Sequence, residues 1–596
     1  MSRAFLGVER SLTGRLWQDR LDEAGRAAAL AIVQEQGVPD VVARVLAGRG
    51  VLSPEVPLFL DPKLRLLMPD PAVLTGMDAA VARLVRAVRT GETVAIFGDY
   101  DVDGACSSAL LAEFLDRAGT PRLVHIPDRL IEGYGPNGEA VRALAAKGAT
   151  LLVTVDCGTT SHEVFAEARR MGLDVVVLDH HQAPETLPEA VAIVNPNRLD
   201  DLSGLGHLCA AGVVFLTIVA LNRALRDAGH WGGARVEPDL FACLDLVALA
   251  TVADVVPLRG LNRAFVRQGI AVMRRRGRAG IRSLADVAGL NGPIEPYHLG
   301  FLLGPRINAG GRIGDAGLGA RLLMTADEIE AGTIAGDLDR LNRERQVIEL
   351  AMVEQAEAEA LGLVGIDESA AHLLVLGSEQ WHPGVVGLVA ARLKERFGRP
   401  SFAVALDGNG FGTGSGRSIP GVDLGRAVRA AVEAGVAVKG GGHAMAAGVT
   451  VAAPELAAFR AFMEERLAES VAAARATNAL EIDAAVTAGG ASPGLIEEIE
   501  KAGPYGSGHP EPSFVLPAHR LIEVAEVGTG HIRAKLKAGD GSVIKGIAFR
   551  AAGRTLGQAL LSRRDAVVHV AGHLAIDRWG GGAAAQIRIG DVADPR

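Results

Sequence analysis

The chain has 596 residues, 49% apolar and 22% charged, which excludes a disordered or low-complexity protein. A length of this order holds roughly three to five domains, each able to bury its own core. The net charge is −9, from 61 basic and 70 acidic residues; this argues against bulk coating of nucleic acid but leaves room for a local basic groove.

Residues 1 to 75 read as small helices with Pro-bearing connections and carry no legible function. The N-terminus MSRAFLGVERSLTGRLW lacks the roughly 7–15-residue apolar core of a secretory signal. From residue 90 the pattern becomes strand, loop, helix, repeated. Val94–Phe97 precedes GDYDVDG, Leu151–Val155 precedes Asp156, and Val175–Leu178 precedes Asp179-His180-His181. Glu139–Ala146 and Ser161–Met171 supply helices of βαβ length, so residues 76–322 are expected to form a parallel α/β sheet domain. The longest apolar stretch, Ala210–Leu221, falls short of the ~20 residues that span a bilayer and reads as a core helix.

Residues 325–362 read as one long helix, opened by a Thr325–Glu328 capping box. Leu338, Leu341, Ile348 and Met352 give it a narrow apolar stripe, and we assign residues 323–362 as a strut between domains. A second α/β region, 363–472, opens on the strand-like Leu373–Leu376 and carries Gly-rich segments, read as loops, at 408–416 and 440–442. The tail, 473–596, has short alternating runs (Phe514–Leu516, Ile532–Leu536, Val543–Phe549, Ala566–Leu574, Ala585–Ile589), the pattern of a small β-barrel such as an OB-fold. The four cysteines, Cys106, Cys157, Cys209 and Cys243, form no CxxC pair and read as reduced thiols of a soluble, cytoplasmic protein.

Chemistry enters through the placement of acidic residues. Asp99, Asp101 and Asp103 follow one strand, Asp156 a second, and Asp179-His180-His181 a third. A single Asp after a strand is usually a turn former or a helix cap. Three such loops are another matter, because loops at the carboxyl ends of parallel strands line one crevice. An oxygen-rich set with one or two imidazoles suits Mn²⁺ or Mg²⁺ and not structural zinc. Asp254 and Asp245 lie in the apolar stretch LDLVALATVADVVPL, where a carboxylate needs a partner or a metal; one of them could simply cap a helix.

GDYDVDG (98–104), VDCG (155–158), DHH (179–181) and ATVADVVPL (250–258) resemble, in order and spacing, the four motifs of the DHH phosphoesterase superfamily. The Asp-Tyr-Asp-x-Asp-Gly form of the first motif resembles the RecJ branch. GPRINAGGRIGDA (304–316), WHPGVVGLVAARL (381–393), GSGRSIPG (414–421) and GGHAMAAG (441–448) resemble RecJ and its DHHA1 domain, and GPYGSGHPEPSF (503–514) the start of its OB-like region. The resemblance implies an α/β multidomain protein that hydrolyses single-stranded DNA 5′→3′ with two Mn²⁺ or Mg²⁺ ions, in recombination and repair. It implies Asp99, Asp101 and Asp156 around one ion, and Asp103, Asp156, His180 and Asp254 around the other, with Asp156 bridging. Asp179 is implied to fix the tautomer of His180. His181 is implied to face the scissile phosphate and stabilise its developing charge.

Arg306, Asn308 and Arg312, read as a Gly-rich loop, are implied to contact DNA. Ser415, Arg417, Ser418 and His443 are implied to form a pocket for the 5′ end. Trp381 could stack a base or pack in a core. The resemblance further implies a monomer, no membrane association, and cooperation with a RecQ-type helicase and a single-strand-binding protein. Two rivals remain at this point, a DHH hydrolase of small phosphoesters and a metal-free scaffold. The long helix, the Asp-opened motif and the extra β domain count against the first, and the intact ligand set against the second.

Overall fold

A computed structural model describes residues 4–129, 131–233, 235–365, 371–476, 478–577 and 583–595. The first sheet comprises β1 (Thr93–Gly98), β2 (Arg122–His125), β3 (Ala149–Val155), β4 (Asp174–Leu178) and β5 (Ala192–Val194). All pairings are parallel, in the order β2-β1-β3-β4-β5, as expected. Val94–Phe97 and Leu151–Val153 are fully buried, which is why these strands read as continuous apolar runs and not as alternating ones. The connection leaves β1 to one side and returns to β3 on the other. That order opens a crevice at the carboxyl ends of β1 and β3.

Five helices bear on the crevice: α1 (Val102–Ala118), α2 (Ala210–Asp227), α3 (Leu244–Ala253), α4 (Gly304–Ile313) and α5 (Glu328–Val364). The long helix α5 is present, but the expected capping box is not. Asp327 is the cap, its carboxylate accepting from the N–H groups of Ile329 and Glu330. Thr325 instead donates to the Glu330 carboxylate at 2.6 Å. The 37 residues of α5 extend about 55 Å at 1.5 Å per residue. Its Leu338 and Leu341 pack over Gly310 and Gly314, and Met352 joins the core of the second sheet region.

The second sheet holds β6 (Leu374–Ser378), β7 (Ser401–Leu406), β8 (Phe411–Arg417), β9 (Lys439–His443) and β10 (Ala446–Ala452), in the order β9-β10-β8-β7-β6. A helix, α6 (Val386–Phe397), joins β6 to β7. The Gly-rich segments expected as loops are strands β8 and β9. The reason lies in the pleat: a Cβ on Gly412, Gly414 or Gly416 would meet Val404 or Phe402 side chains at 2.5–2.9 Å. Glycine lets this face close onto the core while Thr413, Ser415 and Arg417 point the other way.

Residues 1–68, 257–264 and 478–596 group as a separate unit. Its strands β11 (Phe514–Val527), β12 (His531–Lys537), β13 (Val543–Ala548), β14 (Val567–Asp577) and β15 (Ala584–Ala593) run β11-β12-β13-β15-β14, and β14 pairs back with β11. This is the expected small closed barrel. The N-terminal helices Glu23–Gln36 and Asp40–Ala47 share its apolar core. A strand not foreseen, Leu16–Asp19, pairs in parallel with Ala479–Ile482, and the buried Trp17 donates its indole N–H to Asp591 at 2.9 Å. No described helix is long and apolar enough to cross a membrane.

Candidate active site

The crevice is built by four short segments. After β1 the chain turns through Asp99 and Asp101; the Asp101 carboxylate caps α1 by accepting from the N–H groups of Asp103 and Gly104. Gly104 is required there, since a Cβ would lie 2.3 Å from the Asp99 carbonyl oxygen. Asp103, in the first turn of α1, accepts from Ala210 N–H at 2.6 Å and Ala211 N–H at 2.8 Å, at the positive end of α2. Asp156 follows β3 in a left-handed conformation, φ 62°, which aims its carboxylate into the crevice. Asp254 ends α3 and is followed by Val255 at φ 60°, a costly conformation for a β-branched residue.

These side chains converge. Donor atoms of Asp99, Asp101 and Asp156 lie within 4.8 Å of one another, as do those of Asp103, His180 and Asp254, and those of Asp156, His180 and His181. Nε2 of His180 stands 3.2 Å from Asp156 Oδ1 and 3.7 Å from both Asp103 and Asp254. Burial first, then the neighbouring carboxylates, push Asp99, Asp156 and Asp254 well above the ordinary carboxylate range, and Asp103 above it. Asp156 Oδ1 and His180 Nε2 are buried without a hydrogen-bond partner. His180 Nδ1 donates to the Leu208 carbonyl at 3.1 Å, which turns Nε2 toward the three carboxylates. That ring nitrogen and the carboxylate oxygens together line a pocket of donor atoms suited to a cation. The donor set, oxygen-rich with one imidazole, fits Mn²⁺ or Mg²⁺.

Asp179 does not orient His180, contrary to expectation; the Leu208 carbonyl does. Asp179 Oδ1 lies beside its own turn, where it bonds His181 Nδ1 at 2.8 Å and accepts from the N–H groups of His180 and His181. Its other oxygen accepts from the Thr159 N–H and hydroxyl. Burial would raise the Asp179 pKa, but the His181 and Thr159 bonds hold it well below the usual range. Burial also works against the His181 imidazolium; Asp179, with Asp254 and Asp99, outweighs it and lifts the ring to about 9.

Arginines gather beside the carboxylates. Arg312 Nη1 donates to the Gly384 carbonyl at 3.0 Å, and the Arg129 guanidinium lies 5.3 Å above the Tyr100 ring. Arg417 donates to Ser415 Oγ at 2.8 Å, in space that a side chain at Gly387 would fill. Burial, then repulsion from Arg129, Arg345 and Arg417, brings Arg312 down to about 10. So crowded a set of guanidinium groups is relieved by an anion. His443, on β9, feels the same imidazoles and is held below the ordinary value by burial, then by His181 and His180.

Family comparisons agree with this geometry. Residues 93–251 match the DHH family N-terminal domain, 369–469 the DHHA1 domain and 482–591 the RecJ OB domain. The chain is 39% identical over 524 residues to the single-stranded-DNA-specific exonuclease RecJ of Dickeya dadantii, covering 86% of this chain and 89% of that one. This chain belongs to the RecJ family. The crystal structure of RecJ in complex with Mn²⁺ from Thermus thermophilus is similar at a TM-score of 0.78 and 31% identity, covering 96% of this chain and 78% of that one. The Mg²⁺ complex from the same organism has a TM-score of 0.73 at 29% identity, covering 96% and 77%.

Several residues lie elsewhere than the sequence suggested. The RecJ-like segment GPRINAGGRI is not a loop but helix α4. Arg306 faces α5, pairing with Asp339 at 3.0 Å and donating to the Leu302 carbonyl. Asn308 accepts from the Val102 N–H at 3.1 Å, so it holds the start of α1. Of the three, Arg312 alone joins the arginine cluster. Ser418 is buried and donates to the Val422 carbonyl at 2.7 Å, bracing a turn. Trp381 is core, its indole N–H bound to Gln355. Asp245 pairs with Arg278 at 2.8 Å and takes no part in the carboxylate–imidazole groups. Sequence reading missed Arg129, Arg345 and Tyr134, whose hydroxyl is 3.3 Å from His181 Nδ1. It also missed Asn195 and Asn197, which donate to the His181 and His180 carbonyls and fix the DHH turn. An Asn two residues from another carries no sequence signal of that role.

Proposed function

We propose that this chain is a metal-dependent exonuclease that removes nucleotides from the 5′ end of single-stranded DNA. One observation carries the reading: a largely buried carboxylate–imidazole cluster adjoins a half-buried arginine cluster within one crevice. Asp99, Asp101 and Asp156 would hold one Mn²⁺ or Mg²⁺ ion, and Asp103, Asp156, His180 and Asp254 the other. Such ions supply Lewis-acid charge and an activated water at neutral pH. His181, kept protonated by Asp179, donates to a phosphoryl oxygen as negative charge develops there. Arg312, Arg417 and Arg129, with Ser415 and His443, receive the terminal phosphate, so the end of the strand sets which bond reaches the carboxylates. In this reading 76–322 is the catalytic domain, 363–472 the end-binding domain and 473–596 a nucleic-acid-binding barrel. The enzyme would act as a cytoplasmic monomer in recombination and repair, on strands opened by a RecQ-type helicase and coated by single-strand-binding protein.

The test is digestion of 5′- and 3′-labelled single strands and duplexes with Mn²⁺, Mg²⁺ or chelator. Mononucleotide release from the 5′ label, dependent on the ion and confined to single strands, is the expected result. Release from the 3′ end would refute the end-binding assignment, and undiminished activity in chelator would refute the metal assignment.

A further inference from the structure

Aromatic residues make up only 4% of this chain, and six of those described are exposed: Tyr134, Phe241, Tyr297, Phe301, Phe411 and Phe549. Among these six, Tyr297 and Phe301 stack on each other. They sit one turn apart on the short helix Pro296–His298 and the wide turn Leu299–Leu303 that leads into α4. Their rings stack on each other, centroids 4.8 Å apart and planes 18° apart, yet remain 59% and 67% exposed. His298 packs edge-on against Tyr297 at 5.9 Å.

The position of this pair gives it meaning. The turn lies against the end of α3: a Cβ on Gly300 would come 3.4 Å from Val252, and one on Gly304 3.3 Å from Ala253, the two residues before Asp254. The turn that carries the aromatic pair therefore packs on the end of α3 that leads into Asp254. The arginines stand beside the first-motif carboxylates, where Arg129 covers Tyr100 and Arg312 lies close enough to Asp101 to feel its charge. Helix α4 connects the two, beginning beside the aromatic turn and ending near Arg312. Ten residues at 1.5 Å per residue put its ends about 15 Å apart, a span of a few nucleotides.

We propose that Tyr297 and Phe301 form a stacking platform for bases of the DNA strand on the retained side of the scissile bond. The inference rests on the exonuclease reading above, in which the arginines hold the strand end and the carboxylates flank the bond to be cut. The strand then leaves past Asp254, where the outer face of a preformed ring stack is free to take a base. Stacking ignores base identity, as a nuclease acting on strands of any sequence requires, because every base has a π-face. A platform on the retained side holds the long product after each mononucleotide departs.

The experiment uses the full chain with Mn²⁺ and 5′-phosphorylated strands carrying 2-aminopurine at successive positions, with phosphorothioate linkages at the 5′ end to slow hydrolysis. Stacking quenches the probe only at the positions that reach the platform. Quenching at one or two internal positions in wild type, lost in Tyr297→Ala/Phe301→Ala and retained in Phe301→Trp, is the expected result. In steady-state assays the double variant should lose about tenfold of the preference, in kcat/KM, for a long strand over a dinucleotide. An unaltered preference together with unaltered quenching would overturn the proposal, as would a variant whose only change is loss of self-association by sedimentation. If wild type binds and quenches but cuts nothing, the exonuclease reading fails while the platform stands.

Discussion

Replacing Asp156 by Asn should make the metal-free protein more stable and the metal-loaded protein less so. Asn is the substitution of choice because φ at this position is 62°, a conformation that Asn tolerates and Ala does not. Asp156 shares its pocket with Asp99 and Asp101, donor atoms within 4.8 Å, and Asp103 and Asp254 act on it as well. Two unit charges at that distance repel by about 3.5 kcal/mol at an effective dielectric constant of 20. Protonation and relaxation relieve part of this, so removing the charge should stabilise the chelated protein on the order of 1–3 kcal/mol. For a domain of this size that is roughly 2–10 °C in Tm. With Mn²⁺ at a hundred times its Kd, wild type gains about 2.7 kcal/mol, and a variant lacking the shared ligand gains much less. Thermal melts of both proteins in chelator and across a Mn²⁺ titration should therefore cross, and the variant should have lost nuclease activity. Parallel melting curves at every Mn²⁺ concentration would refute the shared-ligand arrangement.

Arg417→Ala should reduce the salt dependence of single-strand binding by about one unit of slope and erase much of the preference for 5′-phosphate over 5′-hydroxyl ends; Arg306→Ala, whose side chain is bound to Asp339, should leave the slope unchanged. Asn308→Ala should lower kcat more than end binding, since its amide oxygen holds the Val102 N–H and so the first turn of α1; an equal loss in both would assign it to the strand instead. His509 donates through Nε2–H to the Ala502 carbonyl and stacks on Tyr505, and burial, then Arg263, lowers its pKa to about 4. The unfolded chain, near 6.5, binds the proton first, so this contribution is complete above pH 6.5 and is lost as the pH falls towards 4, by roughly 2–4 kcal/mol. Denaturant unfolding of wild type and His509→Gln across that window should converge at low pH; parallel profiles would contradict the assignment.

The convergence of Asp99, Asp101, Asp103, Asp156 and His180 was legible in the sequence for a physical reason. Their loops each follow an apolar strand, and parallel strands deliver such loops to one edge of the sheet. What orients these side chains was not legible. The proton on His180 is fixed by a backbone carbonyl, Leu208, and any residue type has one. Asp179 faces its own turn, a local geometry that spacing does not reveal. The glycine-rich segments misled for the opposite reason. Glycine costs about 1 kcal/mol in a helix interior, so propensity alone reads GPRINAGGRI as a loop. Packing decides otherwise: a Cβ on Gly310 would lie 2.7 Å from the Asp315 carbonyl, and one on Gly311 2.8 Å from the Tyr100 carbonyl. The arginine cluster was only partly visible because Arg129, Arg312, Arg345 and Arg417 come from four separate segments, and no spacing links them.

Helix α4 explains why the misread segment matters. Gly304 meets Ala253 and Val102, Asn308 holds the Val102 N–H, Gly311 rests on Tyr100, and Arg312 reaches the Gly384 carbonyl. One element thus touches the residue before Asp254, the motif bearing Asp99, Asp101 and Asp103, and the loop before α6. In the exonuclease reading, the distance from strand end to scissile bond is the distance from the arginines to the carboxylates, and α4 spans it. A larger residue at Gly311 would push against the Tyr100 carbonyl and shift Asp99 and Asp101 relative to Arg312. Such a change should alter where the strand is cut before it alters whether the strand is bound.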